Sequence, residues 1–187
     1  MSKTMLDPKN KNIVFIGFMG VGKGTIARAL IQATDRFGLD TDDLIESMEN
    51  RKIKEIFEKD GEVAFRKLEK KTAKWLQKNV QNAIISTGGG FFKTDNLEKI
   101  GTVVYLRSSY EGIMARLLSH EKADLKLAKR PLLSDEAKAR ALFEERAPLY
   151  AKKADVMIDV ENRSVQEIVA EIIKVLKLKR IKKRCES

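Results

Sequence analysis

The run Gly17-Phe18-Met19-Gly20-Val21-Gly22-Lys23-Gly24-Thr25 follows a short β-branched and aromatic segment, Ile13-Val14-Phe15-Ile16, and precedes an Ala-, Leu- and Ile-rich stretch from Thr25 to Thr34. A buried strand, a glycine-rich turn and a helix in that order open a βαβ unit, and G-x-x-x-x-G-K in this setting is a phosphate loop. The glycines let the backbone curl so that its N–H groups face an anion. The helix N-terminus adds positive potential, and Lys23 reaches toward the β- and γ-phosphates of a nucleotide. Few other folds can be built around such a start, so an α/β class follows before any other residue is considered.

The rest of the chain agrees with that class. Ala83-Ile84-Ile85-Ser86, Thr102-Val103-Val104-Tyr105-Leu106 and Val156-Met157-Ile158-Asp159 are further short buried-strand runs. Helical periodicity fills the intervals. Thr41 can cap a helix carrying Leu44, Ile45 and Met48, and a short helix is expected over Ile53–Lys59. Gly61 then breaks the pattern. From Glu62 to Asn79, Val63, Phe65, Leu68, Ala73, Trp75 and Leu76 mark an apolar side expected to face the core. Further helices are expected near 95–99, 109–119, 135–150 and 164–178. Strands alternating with helices predict one mostly parallel sheet covered on both faces. At 187 residues the chain suits a single domain, expected over 12–178, with a flexible leader at 1–11 and a basic tail at 179–187. The charged, poorly periodic stretch through Arg130-Pro131 is the lid candidate, about 120–133.

Composition removes several classes of function. Cys185 is the only cysteine and His120 the only histidine, so neither a disulfide nor a Cys- or His-rich metal centre can form within the chain. No apolar run approaches the roughly 20 residues of a spanning helix, and the polar leader lacks a secretory pattern, so a cytoplasmic protein without membrane contact is expected. The net charge of +10 could serve nucleic acid, lipid or small anions. Part of it is a solvated C-terminal run, Lys177, Lys179, Arg180, Lys182, Lys183 and Arg184, with no aromatic stacking motif beside it. Nucleic-acid binding with a vestigial nucleotide site is therefore the weaker alternative.

Two details bear on the metal and the acceptor. The residue after Lys23 is Gly24, where a Ser or Thr hydroxyl would usually ligate Mg²⁺, and Thr25 comes one position later. Gly24-Thr25 resembles the Gly-Lys-Gly-Thr variant of adenylate kinases, in which water takes the place of that hydroxyl. Leu39-Asp40-Thr41-Asp42 is expected to place two carboxylates on one side of a strand end. Asp40 then suits the hydration shell of Mg²⁺ and Asp42 an attacking hydroxyl, although helix capping would explain the same residues.

With the Asp-x-Asp element at this distance from the phosphate loop, the chain resembles the shikimate kinase family. Phe65-Arg66-Lys67-Leu68-Glu69 is similar to its F-R-x-x-E helix and Ser86-Thr87-Gly88-Gly89-Gly90 to its S-T-G-G-G turn. Arg130-Pro131-Leu132-Leu133 resembles its lid motif, and Arg146-Ala147-Pro148-Leu149-Tyr150 its R-x-x-x-Y helix end. The matches run from about Ile13 to Ile158. The resemblance implies a phosphate-loop fold with a five-stranded parallel sheet and a mobile lid, and transfer of the γ-phosphoryl of ATP to shikimate with Mg²⁺. Lys23, Asp42 and Arg130 would be catalytic. Gly20, Val21, Gly22, Lys23, Gly24, Thr25, Arg116, Arg130 and Arg163 would hold ATP, Arg116 against the adenine and the loop near Asn162 on its other side. Asp42, Arg66, Gly88, Gly89, Gly90 and Arg146 would hold shikimate. Asp40, through water, and Thr25 are the metal candidates. Two arginines can grip a carboxylate with forked hydrogen bonds, and the three glycines leave N–H groups open to a sugar-like ring. A monomer acting on small molecules is expected. A kinase for gluconate or a nucleoside monophosphate is the rival within this fold, supported by Gly24-Thr25 and opposed by Asp42, the arginine pair and the glycine triplet.

Overall fold

The computed structural model describes residues 11–118 and 135–181. The expected lid, together with Arg130, His120 and Cys185, lies outside the described residues, as do residues 1–10 and 182–187. Five strands, β1 (Asn12–Ile16), β2 (Phe37–Asp40), β3 (Ala83–Ser86), β4 (Gly101–Arg107) and β5 (Val156–Asp159), form one sheet in the order β2-β3-β1-β4-β5. Every pairing is parallel, for example Val14 opposite Ile85 on one side and Val103 on the other. Central β1 and β3 are buried throughout, the consequence of helices covering both faces. Burying each large apolar side chain here is worth about 1.5–3 kcal/mol, against roughly 0–1 kcal/mol for an exposed ion pair, so the core rather than the charged surface holds the scaffold.

The helices are α1 (Lys23–Ala33), α2 (Thr41–Glu49), α3 (Ile53–Asn79), α4 (Leu97–Ile100), α5 (Tyr110–Leu118), α6 (Glu136–Lys153) and α7 (Val165–Val175). α1 and α7 pack on each other, as do α3 and α4. Caps set several starts. The Asp135 carboxylate accepts the Lys138 N–H before α6, and Ser164 with Glu167 completes a reciprocal capping box at α7. Asn12 ties the entry edge of the sheet together: its amide donates to the carbonyls of Val80 and Ile100, each at 2.8 Å, and its oxygen accepts the Ala83 N–H at 2.9 Å. At the far end of the described residues, the Ile181 N–H donates to the Ala33 carbonyl closing α1, at 3.1 Å.

Three local expectations need correction. Thr41 does not cap α2. Asp40 does, its Oδ1 accepting the Asp42 N–H at 2.9 Å, while the buried Thr41 hydroxyl accepts the Gly88 N–H at 3.1 Å. Asp42 therefore sits in the first turn of α2 rather than on a strand end, because the cap at Asp40 turns the chain one residue earlier. The two expected helices over 53–79 run on as one, interrupted at Gly61, whose φ of 78° and ψ of 174° leave helical space. That break resets the buried face. Phe65, Ala73 and Leu76 are buried, but Val63 and Trp75 stay 73% and 48% exposed.

Because all strands run the same way, the segments that follow β1, β2, β3, β4 and β5 gather at one edge of the sheet. They carry Gly17–Gly22, Asp40–Asp42, Thr87–Gly90, Ser108–Ser109 and Val160–Asn162. Ligands of open parallel sheets bind at this carboxyl edge.

Candidate active site

The phosphate loop owes its shape to backbone that only glycine adopts readily, with φ of 144° at Gly17, 87° at Gly20 and 105° at Gly22. Lys23 is buried and folds back over the loop, donating from Nζ to the carbonyls of Gly17 at 2.7 Å and Phe18 at 3.1 Å. Gly24 lies in the first turn of α1, and Thr25 beside it is exposed. Arg116, from α5, donates to the Val21 carbonyl and lies in the space a side chain at Gly22 would need. A cavity of about 500 Å³ opens beside the loop, walled by Val21, Gly112, Arg116, Asn162 and Arg163. The two arginines expected at the nucleotide base thus share one cavity. The Arg163 guanidinium is itself bound to the Asp159 carbonyl at 2.8 Å and to the Glu171 carboxylate. Glu161 shapes the same wall by accepting the Ser109 N–H at 2.7 Å.

On the other side of the loop, the Gly88-Gly89-Gly90 turn is met by one expected residue at each position. A Cβ added at Gly88 would stand 2.7 Å from Asp42 Oδ1, one at Gly90 would overlap the Arg66 guanidinium, and Arg146 donates to the Gly89 carbonyl at 3.3 Å. None of the three glycines has a left-handed φ. Their lack of side chains makes room for Asp42 and Arg66, a use beyond the approach of a ring to their N–H groups. The Gly88 N–H is already bonded to Thr41, so the open donors of the turn are those of Gly89 and Gly90 among the described residues.

This pocket holds most of the buried polar atoms that have no partner: Asp42 Oδ1, Glu69 Oε1 and Arg146 Nε, with Thr94 Oγ1 the only other side-chain atom of this kind among the described residues. Such atoms are costly unless a ligand or water meets them. Burial pushes the Asp42 carboxyl up to about 7, with the negative fields of Asp40 and Glu69 adding to it and Lys23 acting against it. Burial also raises Glu69, against its hydrogen bond from Arg66. Arg146 is 4% exposed.

Glu62, Glu69 and Tyr150 belong to this site, yet their types alone assign them no role. The Arg66 guanidinium donates from Nη1 to Glu69 at 2.6 Å, and from Nε and Nη2 to Glu62 at 3.1 and 2.8 Å. The buried Tyr150 hydroxyl donates to the Gly89 carbonyl at 2.6 Å and so fixes the turn. Helical spacing was the available signal, since residues three or four apart share a helix face and Glu62, Arg66 and Glu69 are so placed, as are Arg146 and Tyr150.

Among the described residues no cluster of three or more His, Cys, Asp or Glu side chains could cage a metal. Asp40, whose Oδ1 serves the α2 cap, has a second carboxylate oxygen that suits the hydration shell of a hard cation taking its remaining ligands from phosphates and water.

The chain is similar to known proteins over most of its length. The family model described as shikimate kinase matches residues 19–177. The shikimate kinase of Helicobacter hepaticus is 43% identical over 166 residues, covering 89% of this chain and 96% of its own. Among solved structures, the shikimate kinase of Acinetobacter baumannii in complex with shikimate superposes with a TM-score of 0.77 at 32% identity, over 89% of this chain and 93% of that one. The shikimate kinase of Aquifex aeolicus does so with a TM-score of 0.69 at 35% identity, over 89% and 96%. A family model over most of the chain and a relative of this identity and coverage place it plainly: the chain belongs to the shikimate kinase family.

Proposed function

We propose that this chain transfers the γ-phosphoryl group of ATP to the 3-hydroxyl of shikimate, giving shikimate 3-phosphate and ADP on the route to aromatic amino acids. The observation that carries the reading is the set of unpartnered buried atoms around the glycine turn, an acceptor on Asp42 and a donor on Arg146. A polyhydroxylated carboxylic acid satisfies both. Arg66 and Arg146 hold its carboxylate, and the N–H groups of Gly89 and Gly90 meet the ring. Asp42 accepts the hydrogen bond of the attacking hydroxyl, takes its proton as the new O–P bond forms, and orients the oxygen in line with the phosphate. The need for ATP supports a cytoplasmic enzyme.

Lys23 exchanges the Gly17 and Phe18 carbonyls for the β- and γ-phosphates when ATP enters, so its charge is held ready without being left bare. The base lies in the cavity between Arg116 and the loop at Asn162 and Arg163. Asp40 would hold Mg²⁺ through its hydration shell, with Thr25 as the only hydroxyl on α1 near the loop, and the ion would supply charge neutralisation at the phosphates. Arg130, outside the described residues, would offset the charge of the transferring phosphoryl group. Because the transition state of phosphoryl transfer is loose, alignment and charge neutralisation outweigh base strength, which makes Asp42 mainly an orienting group.

Release of ADP with and without shikimate, followed by a coupled assay, tests the reading. ADP should form at a rate that saturates with shikimate and not with gluconate or AMP. ADP formation that ignores shikimate would overturn it.

A further inference from the structure

The Arg66 guanidinium makes two unlike contacts. On one it is held by Glu69, which is 2% exposed and fixed in the core of the site. Along its Nε/Nη2 edge it is held by Glu62, whose single oxygen Oε1 accepts from both nitrogens while the side chain is 61% exposed. That edge is a forked donor pair of the geometry that matches a carboxylate. Accepting that Arg66 and Arg146 receive the substrate carboxylate, as the functional reading has it, the edge is already occupied in the ligand-free protein by a carboxylate of the chain's own.

We infer that Glu62 is a placeholder for the substrate carboxylate: it pairs with Arg66 while the site is empty and yields that edge when the acid binds. The surrounding charge fits this role. Glu62 lies in the positive fields of Arg66, Arg146 and Lys93, which with the Arg66 hydrogen bond hold its carboxyl below the usual range. Its direct partner is Arg66, one of the two arginines that would receive the bound acid. Its exposure lets it swing into water at small cost, which buried Glu69 cannot do. Glu62 is also the first residue after the break at Gly61, where an added Cβ would meet nothing within 4 Å, so the chain just before it is not packed in. The arrangement keeps Arg66 ordered and its charge compensated before substrate arrives. Its cost is competition, because every shikimate that binds must displace an internal rival.

Glu62→Gln keeps the shape and removes the charge. Calorimetric titration of the full chain should show shikimate binding roughly two- to fivefold more tightly in Glu62→Gln, the span expected for an exposed ion pair. KM for shikimate should fall in step and kcat should hold. Shikimate methyl ester, which brings no carboxylate to evict Glu62, should bind both proteins equally. Unchanged or weaker shikimate binding by the variant, beside normal binding by the parent, would overturn the placeholder role and leave the functional reading standing. No shikimate binding by the parent would overturn both. Equal tightening toward acid and ester would also defeat the proposal, since it would mark a general change in the pocket rather than relief of competition.

Discussion

The nucleotide side and the acid side of this site are built by different means. The first is mostly backbone in one contiguous segment, from Gly17 to Gly22, whose lysine answers its own carbonyls. The second is mostly side chains from α2, α3 and α6, converging on the turn after β3, and it retains three buried polar atoms with no partner. A backbone cradle shaped by glycine can be complete without its ligand. A pocket of convergent side chains cannot be, and its unmet atoms record the ligand it awaits. Substitutions should therefore separate the two sides cleanly.

The largest effect is expected from Asp42→Asn, which should lower turnover by on the order of 10²–10⁴-fold, the range for a positioned proton acceptor, while leaving ATP affinity near that of the parent. Stopped-assay rates alongside nucleotide titration check this. The same variant tests the electrostatics. In the folded, ligand-free protein Asp42 holds its proton up to about 7 instead of its ordinary 3.8. The native state then binds a proton the unfolded chain has lost, so this residue's contribution to stability falls as pH rises from about 4 to 7. Near pH 4 parent and variant should be equally stable. By pH 8 the variant should be the more stable by on the order of 4 kcal/mol, from about three pH units at 1.36 kcal/mol each. Urea melts of both proteins without nucleotide or metal across pH 4–8 would show it, and parallel curves would refute it.

Next comes Arg146→Lys, which loses the planar donor set of a guanidinium. Shikimate binding should weaken by about 1.5–3 kcal/mol with little change for ATP. Equal losses for both ligands would break the comparison, because the two sides would then be one cooperative unit.

A third substitution approaches the boundary from the nucleotide side. Gly24 is helical, and a Cβ there would come no nearer to its surroundings than 3.5 Å, to Arg28 Nη1. Gly24→Ser therefore fits and returns a hydroxyl to the loop. The Mg²⁺ midpoint of turnover, at fixed ATP, should fall severalfold with shikimate affinity unchanged. An unmoved midpoint in the folded variant would show that Gly24 does not loosen metal ligation.

How much of this was legible in the sequence follows the same division. The phosphate loop is a contiguous pattern with one structural context, and β1, β3, β4 and β5 are apolar runs that only a covered parallel sheet explains. The acid side was named residue by residue through resemblance, but its wiring was not. Glu69 stands in the F-R-x-x-E motif without a stated partner, and Glu62 looks like an ordinary charge on a charged helix until Arg66 is seen between them. The exposure of Val63 and Trp75 was hidden for a related reason, since a periodic pattern assumes a continuous helix and Gly61 interrupts it. The cap of α2 falls on Asp40 instead of Thr41 because one residue decides where a helix begins, and both types can serve.

The smallest effect is expected far from either side. Ending the chain after Leu178 removes the Ile181 hydrogen bond to the close of α1. Stability should drop by about 1 kcal/mol with kcat and both KM values retained. Loss of activity would mean that the tail reaches the site.

Asn12 has a consequence of another kind. One carboxamide closes against three residues that are 68, 71 and 88 positions away in the chain. If β1 slipped by a single position against either neighbour, the amide and its oxygen would lose these partners inside a dry interior, and the alternating faces of the strand would be exchanged as well. The side chain acts as a register pin. It adds little to the correct pairing that the apolar strands do not already supply, but it penalises every wrong one, and so the loop that follows β1 emerges opposite the turn that follows β3.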